Sequence, residues 1–256
     1  MTTDSSPQDG SDEVVFIAAD DPLALEATTA VQTGDLEALE RFLANNPELA
    51  TARIGEVGCS RTLLHAATDW PGNFPNGPDV VEMLVRTGAD VNARFDGAHE
   101  ETPLHWAASS NDVTVLDALL DNGADIEAHG AVLGGGSPLA DAAGFGNWAA
   151  ARRLVERGAR IRLKDAAALG LTDRLEAAFA RPEPPEPDEV TRALWSACHG
   201  GQRPAAEFLL DRGADINWVG WDDLTPLDAA STSDDGGRDL VDWLRDLGAK
   251  SSGELR

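Results

Sequence analysis

The side chains best suited to chemistry in this chain are histidines and carboxylates that occur among tryptophans. Trp70, His105, Asp141, Trp195 and His199 are the candidates, because a histidine and a carboxylate within hydrogen-bond reach suffice for general acid–base catalysis. Two motifs of known hydrolases, GxSxG and HExxH, do not occur in the sequence. Catalysis therefore stays an alternative hypothesis, and the sequence favours a protein that is not an enzyme.

Composition restricts the class of partner. The 256 residues include 45 acidic and 20 basic side chains, and the net formal charge of −25 opposes binding to nucleic acid and to anionic membrane surfaces. The sequence has no run of about 18 apolar residues, so it predicts no membrane span. Cys59 and Cys198 stand far apart, and no spacing predicts a disulfide framework, a metal site or a cofactor. We expect a cytoplasmic protein.

One short pattern recurs along the chain. GADVNA begins at Gly88 and related strings begin at Gly123, Gly158, Gly213 and Gly248, at intervals of 35, 35, 55 and 35 residues. Upstream of them are the helix-start motifs TLLHAA, TPLHWAA, SPLADAA and TPLDAA. In the helix-start motifs Thr or Ser caps a helix, and proline fixes the backbone of its first turn. The glycine that begins each GADVNA-like string permits a left-handed turn after the second helix. Together the motifs resemble the ankyrin repeat family, whose period is near 33 residues and whose signature is TPLHxA.

The resemblance implies an all-α fold, an ankyrin-repeat solenoid of about seven helix-turn-helix units with β-hairpin fingers. We expect a disordered acidic tail over residues 1–12 and a second tail over residues 251–256. A single repeat domain is predicted over residues 13–250, with one truncated repeat at about residues 166–190. Function is then expected on the concave surface of the stack.

The resemblance also assigns roles to particular positions. His65 and His105 occupy the fourth position of the TPLH motif and are expected to tie each repeat to its neighbour. The two residues that follow the alanines of each first helix are expected on the exposed inner face. Trp70 and Phe145 are large apolar side chains at such positions, and an interaction patch and ordinary packing between repeats both remain open. The candidates at these positions are Asp69, Trp70, Ser109, Ser110, Phe145 and His199.

Two further features extend this candidate surface. The segment 69–79 is rich in proline and glycine, so it predicts a rigid loop that carries Phe74 over one edge of the concavity. A lid or contact loop and a merely tolerated insertion both remain open. The predicted finger tips add Arg94, Phe95, Trp218 and Trp221.

The leading hypothesis is a protein-binding scaffold that docks a partner on its concave face and fingers, with the acidic surface selecting a partner that has a basic surface. The alternative is a small-molecule-binding protein, or an unrecognised enzyme, that uses an aromatic and histidine pocket under the 69–79 loop. A structural spacer without a defined site is the third hypothesis.

Overall fold

The computed structural model describes residues 14–132, 135–232 and 237–256, and the described residues are mainly helical. The helices follow one another in pairs. They are α1 (Pro22–Thr33), α2 (Leu36–Asn45), α3 (Leu63–Thr68), α4 (Gly77–Arg86), α5 (Pro103–Ser109), α6 (Val113–Asp121), α7 (Pro138–Gly144), α8 (Trp148–Glu156), α9 (Leu163–Ala168), α10 (Thr172–Phe179), α11 (Pro187–His199), α12 (Arg203–Leu210), α13 (Pro226–Ser231), α14 (Gly237–Asp246) and α15 (Ser252–Leu255).

The helix boundaries follow the predicted motifs. Helix α5 begins after Thr102, with Pro103 in its first turn, and the Thr102 backbone N–H donates to Nδ1 of His105 over 3.1 Å. Each second helix of the full-length repeats is followed by a glycine with φ between 86° and 108°, a conformation that strains any residue with a side chain. These glycines are Gly88, Gly123, Gly158, Gly213 and Gly248.

The helix pairs stack into two layers. The first helices α1, α3, α5, α7, α9, α11 and α13 contact one another in sequence order, and α4, α6 and α8 form part of the second layer. The repeated leucines of the first helices lie between these layers and are at most 1% exposed, as expected for the core of a stack whose units bury apolar surface only against their neighbours. They are Leu64, Leu104, Leu139, Leu194 and Leu227.

Strands are confined, within the described ranges, to a small sheet near the N-terminal end. Strand β2 (Arg53–Glu56) pairs in parallel with β1 (Phe16–Ile17) and antiparallel with β3 (Cys59–Arg61). The later fingers are loops closed by a few backbone hydrogen bonds, such as the one from the Phe95 N–H to the Glu101 carbonyl at 2.7 Å.

Neighbouring fingers are joined mainly by side-chain acceptors. The side-chain amide oxygen Oδ1 of Asn92 accepts a hydrogen bond from the Asp125 backbone N–H over 2.7 Å. The same bond recurs in later repeats, from the Arg160 N–H to Glu127 at 2.7 Å and from the Lys250 N–H to Asn217 at 2.8 Å. These hydrogen bonds connect neighbouring fingers that, within the described residues, are not joined by continuous strand pairing.

The short repeat and the C-terminal segment both contain helices. The repeat near residues 166–190 retains both helices, α9 and α10, and what it lacks is a long finger before α11. The expected tail at 251–256 contains the short helix α15, whose cap is made by the Ser251 N–H and hydroxyl donating to Glu254. The expected tail at 1–12 lies outside the described residues. No helix in the described ranges is long and apolar enough to cross a membrane.

Candidate functional site

One position of the first helices ties each repeat to the next. His65 accepts the Thr62 N–H through Nδ1 over 3.3 Å, and its Nε2 is 3.1 Å from the Glu101 carbonyl oxygen. The same link recurs twice, from His105 Nε2 to the Gly136 carbonyl at 3.3 Å and from the Trp195 indole N–H to the Leu224 carbonyl at 3.1 Å. The predicted structural role of His65 and His105 is confirmed, whereas the equivalent role of Trp195 was missed.

The two motif histidines are neutral at physiological pH. Burial lowers the pKa of both His65 and His105 to about 4, although a hydrogen bond to a backbone carbonyl partly opposes the shift. Because Nε2 faces a carbonyl oxygen, it carries the proton and Nδ1 accepts. Neither ring is free for proton transfer near neutral pH.

The C-terminal ends of the first helices, together with Trp221 from the finger before α13, form a surface that we call the first-helix groove. It runs from Trp70, through Ser110 and Phe145, to His199 and Trp221. Trp70 is 80% exposed and Phe145 50% exposed, while Ser110 between them donates through its hydroxyl to the Thr68 carbonyl over 3.1 Å. The groove contains two cavities that share Phe145 as a wall.

The first cavity, which we call the Trp70 cavity, has a volume of about 470 Å³. Its acidic wall contains Glu101, which is only 7% exposed and hydrogen-bonds the side chains of Trp106 and Asp141. Burial raises the pKa of Glu101, and those two hydrogen bonds oppose the increase. The cavity is lined by Thr68, Asp69, Trp70, Glu101, Trp106, Ser109, Ser110, Val132, Phe145 and Asn147.

The second cavity, which we call the Trp221 cavity, is smaller, at about 190 Å³. Its aromatic wall is a cluster in which the Trp195 ring centroid lies 4.9 Å from that of Trp221 and 5.2 Å from that of His199. Lys164 supplies a cation, with Nζ 5.9 Å from the Trp221 ring centroid. Trp218 packs edge-on against Trp221 at 5.6 Å and thereby supports this wall.

His199 is the one groove histidine that lines a cavity. Burial lowers its pKa, and the backbone carbonyls of Gly144 and Ala143 partly offset the effect. Its Nε2 atom is buried without a hydrogen bond of normal geometry within the described part of the chain. The ring is held between Trp195 and Trp148, at centroid distances of 5.2 and 5.4 Å, so it contributes to the aromatic wall.

Four of the predicted site residues line neither cavity; they are Trp218, which packs on Trp221, and Phe95, Arg94 and Phe74. Phe95 folds back onto the stack, with its ring centroid 5.6 Å from that of Trp106, because burying the ring is more favourable than exposing it at a finger tip. Arg94 spans two fingers by donating to the backbone carbonyls of Glu100 and His129. Phe74 is half-buried and lines neither cavity.

The alternative pocket under the 69–79 loop is not formed as predicted. The loop is held to both flanking repeats, by the Asn73 N–H donating to Asp112 over 2.6 Å and the Asn76 amide donating to the Gly34 carbonyl over 2.9 Å. The Trp70 cavity at its edge has aromatic walls but no histidine, and His199 lies in the Trp221 cavity. Aromatic rings and a histidine therefore occur together in the Trp221 cavity and not under the 69–79 loop.

Stacked helix pairs joined by fingers, with exposed side chains along one row of helix ends, define a helical-repeat solenoid. The ankyrin repeat family model matches residues 27–130 and 75–165, together more than half of the chain. This chain belongs to the ankyrin repeat family, whose repeats are in general protein-interaction scaffolds.

Several known proteins are similar to this chain. An ankyrin repeat and KH domain-containing protein of Caenorhabditis briggsae is 29% identical over 74% of this chain and 8% of its own length. Alpha-latrocrustotoxin-Lt1a of Latrodectus tredecimguttatus is 28% identical over 69% of this chain and 10% of its own. Ankyrin repeat and SOCS box protein 6 of Mus musculus is 46% identical over 26% of this chain and 15% of its own. The chain thus spans a small part of each of these relatives.

Proposed function

We propose that this protein docks another protein in the first-helix groove. The observation that carries the proposal is the exposure of Trp70 and Phe145, 80% and 50%, on the wall of one shared cavity. Large aromatic side chains gain much from burial against a partner, and exposed apolar patches mark interaction sites. The family's general role in protein interaction supports the same conclusion.

The docked segment is proposed to be basic. The net charge of −25 attracts a cationic partner and repels an acidic one, which favours encounter and selectivity more than final affinity. Cys59 and Cys198 are both free thiols, and a cytoplasmic location is part of the proposal.

Removal of the two exposed rings tests the docking surface. Peptides are first selected from a displayed random library with the full chain as bait, and their dissociation constants are then measured by calorimetry. We expect Trp70→Ala combined with Phe145→Ala to weaken the best peptide about thirtyfold or more, because hot-spot aromatic side chains dominate such interfaces.

The matched control is Leu247→Ala, which removes an apolar side chain that is 51% exposed and lines neither cavity. It is expected to leave the affinity unchanged. If Leu247→Ala and the double variant bind the peptide equally well, the groove is not the docking surface.

Salt tests the charge of the partner. Raising sodium chloride from about 50 to about 500 mM is expected to reduce the association rate constant about tenfold and to change the dissociation rate constant little, because screening weakens long-range steering. The rate constants are measured by stopped-flow tryptophan fluorescence. An association rate constant that is independent of salt would contradict selection of a basic partner.

A further inference from the structure

The Trp70 cavity combines aromatic walls with negative charge. Trp70, Trp106 and Phe145 contribute rings, Asp69 and Glu101 contribute carboxyl groups, and no described residue that lines the cavity is lysine or arginine. Aromatic rings attract cations through their quadrupoles, and the attraction grows when the cation is desolvated. The lining therefore favours an organic cation over an anion or a neutral polar group.

The carboxyl groups of this cavity already have partners. Asp69 forms an ion pair with Arg61, and Glu101 hydrogen-bonds Trp106 and Asp141. A lysine ammonium has three N–H donors and an arginine guanidinium has five, and each donor that loses water without gaining an acceptor costs free energy. A quaternary ammonium has no donors, so it can enter without that cost and still gain from the rings and the negative charge.

The Trp221 cavity is a useful contrast within the same groove. It also has aromatic walls, but Lys164 lines it and places its own cation near the Trp221 ring. Its lining also includes the carboxyl groups of Asp165 and Asp222, for which Lys164 is a resident cation, and the cavity is less than half as large. Of these two cavities, the Trp70 cavity is the one suited to a cation from outside.

We propose that the Trp70 cavity binds a quaternary ammonium group, presented as the side chain of a trimethylated lysine in the docked protein. This inference rests on the proposed docking function, whose partner it specifies. Glu101, which lines the cavity and is 7% exposed, supplies a carboxyl group beside the rings.

The test compares three small probes with the full chain by calorimetry. They are Nα-acetyl-trimethyllysine amide, the same compound with an unmodified lysine, and a neutral analogue in which a tert-butyl group replaces the trimethylammonium group. We expect the trimethyllysine probe to bind at least about fivefold more tightly than either other probe, because only it combines charge with a surface free of donors. Equal binding of the neutral analogue or of unmodified lysine would overturn the proposal.

Variants locate the binding site. Trp70→Ala and Glu101→Gln are each expected to weaken the trimethyllysine probe about fivefold or more, whereas Trp221→Ala, in the other cavity, leaves its affinity unchanged. Trp70 is 80% exposed, so its removal does not threaten the fold, and thermal melting checks the Glu101 variant. Weakening by Trp221→Ala but not by Trp70→Ala would overturn the assignment.

The outcomes also separate this inference from the proposed function. In one outcome the chain binds the trimethyllysine probe tightly, but Trp70→Ala and Phe145→Ala do not change the affinity of the selected peptides. That outcome would overturn protein docking in the groove and support the chemistry of the cavity. Peptides that depend on both rings, together with equal affinity for the three probes, would support docking and overturn the quaternary ammonium site.

Discussion

Lowering the pH from 7 to 5 is expected to remove about 3–4 kcal/mol of stability through His65 and His105 together. The folded pKa of each is about 4, whereas an unfolded histidine titrates near 6.5. The unfolded chain therefore binds more protons between these values, and stability falls as the pH falls through that window. The measurement is urea unfolding followed by circular dichroism at half-unit pH steps.

Buried carboxyl groups partly mask this effect, so a difference between variants isolates it. Burial raises the pKa of Glu101 and of Asp165, and such groups favour the folded state as the pH falls. In His105→Gln the dependence of stability on pH is expected to be shallower than in the wild type by about 1 kcal/mol per unit between pH 6 and 4.5. His99→Gln, at an exposed position, is the control for replacing a histidine by glutamine, and its profile is compared with that of the wild type. If both variants keep that profile, His105 is not buried and neutral.

Replacing Gly200 by alanine is expected to destabilise the protein by about 2–3 kcal/mol, the cost typical of overpacking. A Cβ atom on Gly200 would lie 2.0 Å from the Ala168 carbonyl oxygen, and its other nearest neighbours are backbone atoms of the same residue. Helices α9 and α11 are in contact, so relief requires them to move apart. Urea unfolding monitored by circular dichroism gives the free energy difference.

Gly253→Ala is the matched control for that substitution. The nearest atom to a Cβ there is the Ser251 hydroxyl oxygen at 3.9 Å, so we expect a change below about 0.5 kcal/mol. Equal stability of the Gly200 and Gly253 variants would mean that the short repeat does not pack as closely on its neighbour as described.

The repeat motifs were sufficient to predict the fold because each carries its own local physics. A capping threonine, a proline in the first turn and a glycine after the second helix act within a few residues of one another, so the sequence displays them together. His65 and His105 were predictable for the same reason, since the motif that contains them also fixes their hydrogen bonds. Gly200 was not predictable, because the backbone carbonyl that excludes a side chain at this position belongs to Ala168 in another repeat.

The cavities depend on contacts between residues that are distant in sequence. Glu101 and Asp141 meet only when two repeats stack, and no local pattern indicates that Glu101 shares a cavity with Trp70. Trp195 occupies the position of the motif histidine, and its indole N–H donates to the equivalent backbone carbonyl. This hydrogen bond joins two repeats, so the local motif does not indicate it. Phe95 was expected at a finger tip and packs on Trp106 of a first helix instead, a contact that no local pattern indicates.

The central claim is that the first-helix groove is where a partner binds. Hydroxyl-radical footprinting of the full chain, with and without the best selected peptide, tests it most directly because oxidation reports the exposure of each side chain. The account predicts strong protection of Trp70 and Phe145 and unchanged oxidation of Leu25 and Val57, which are 54% and 82% exposed away from both cavities. Protection of Leu25 or Val57 with Trp70 still fully oxidised would contradict it.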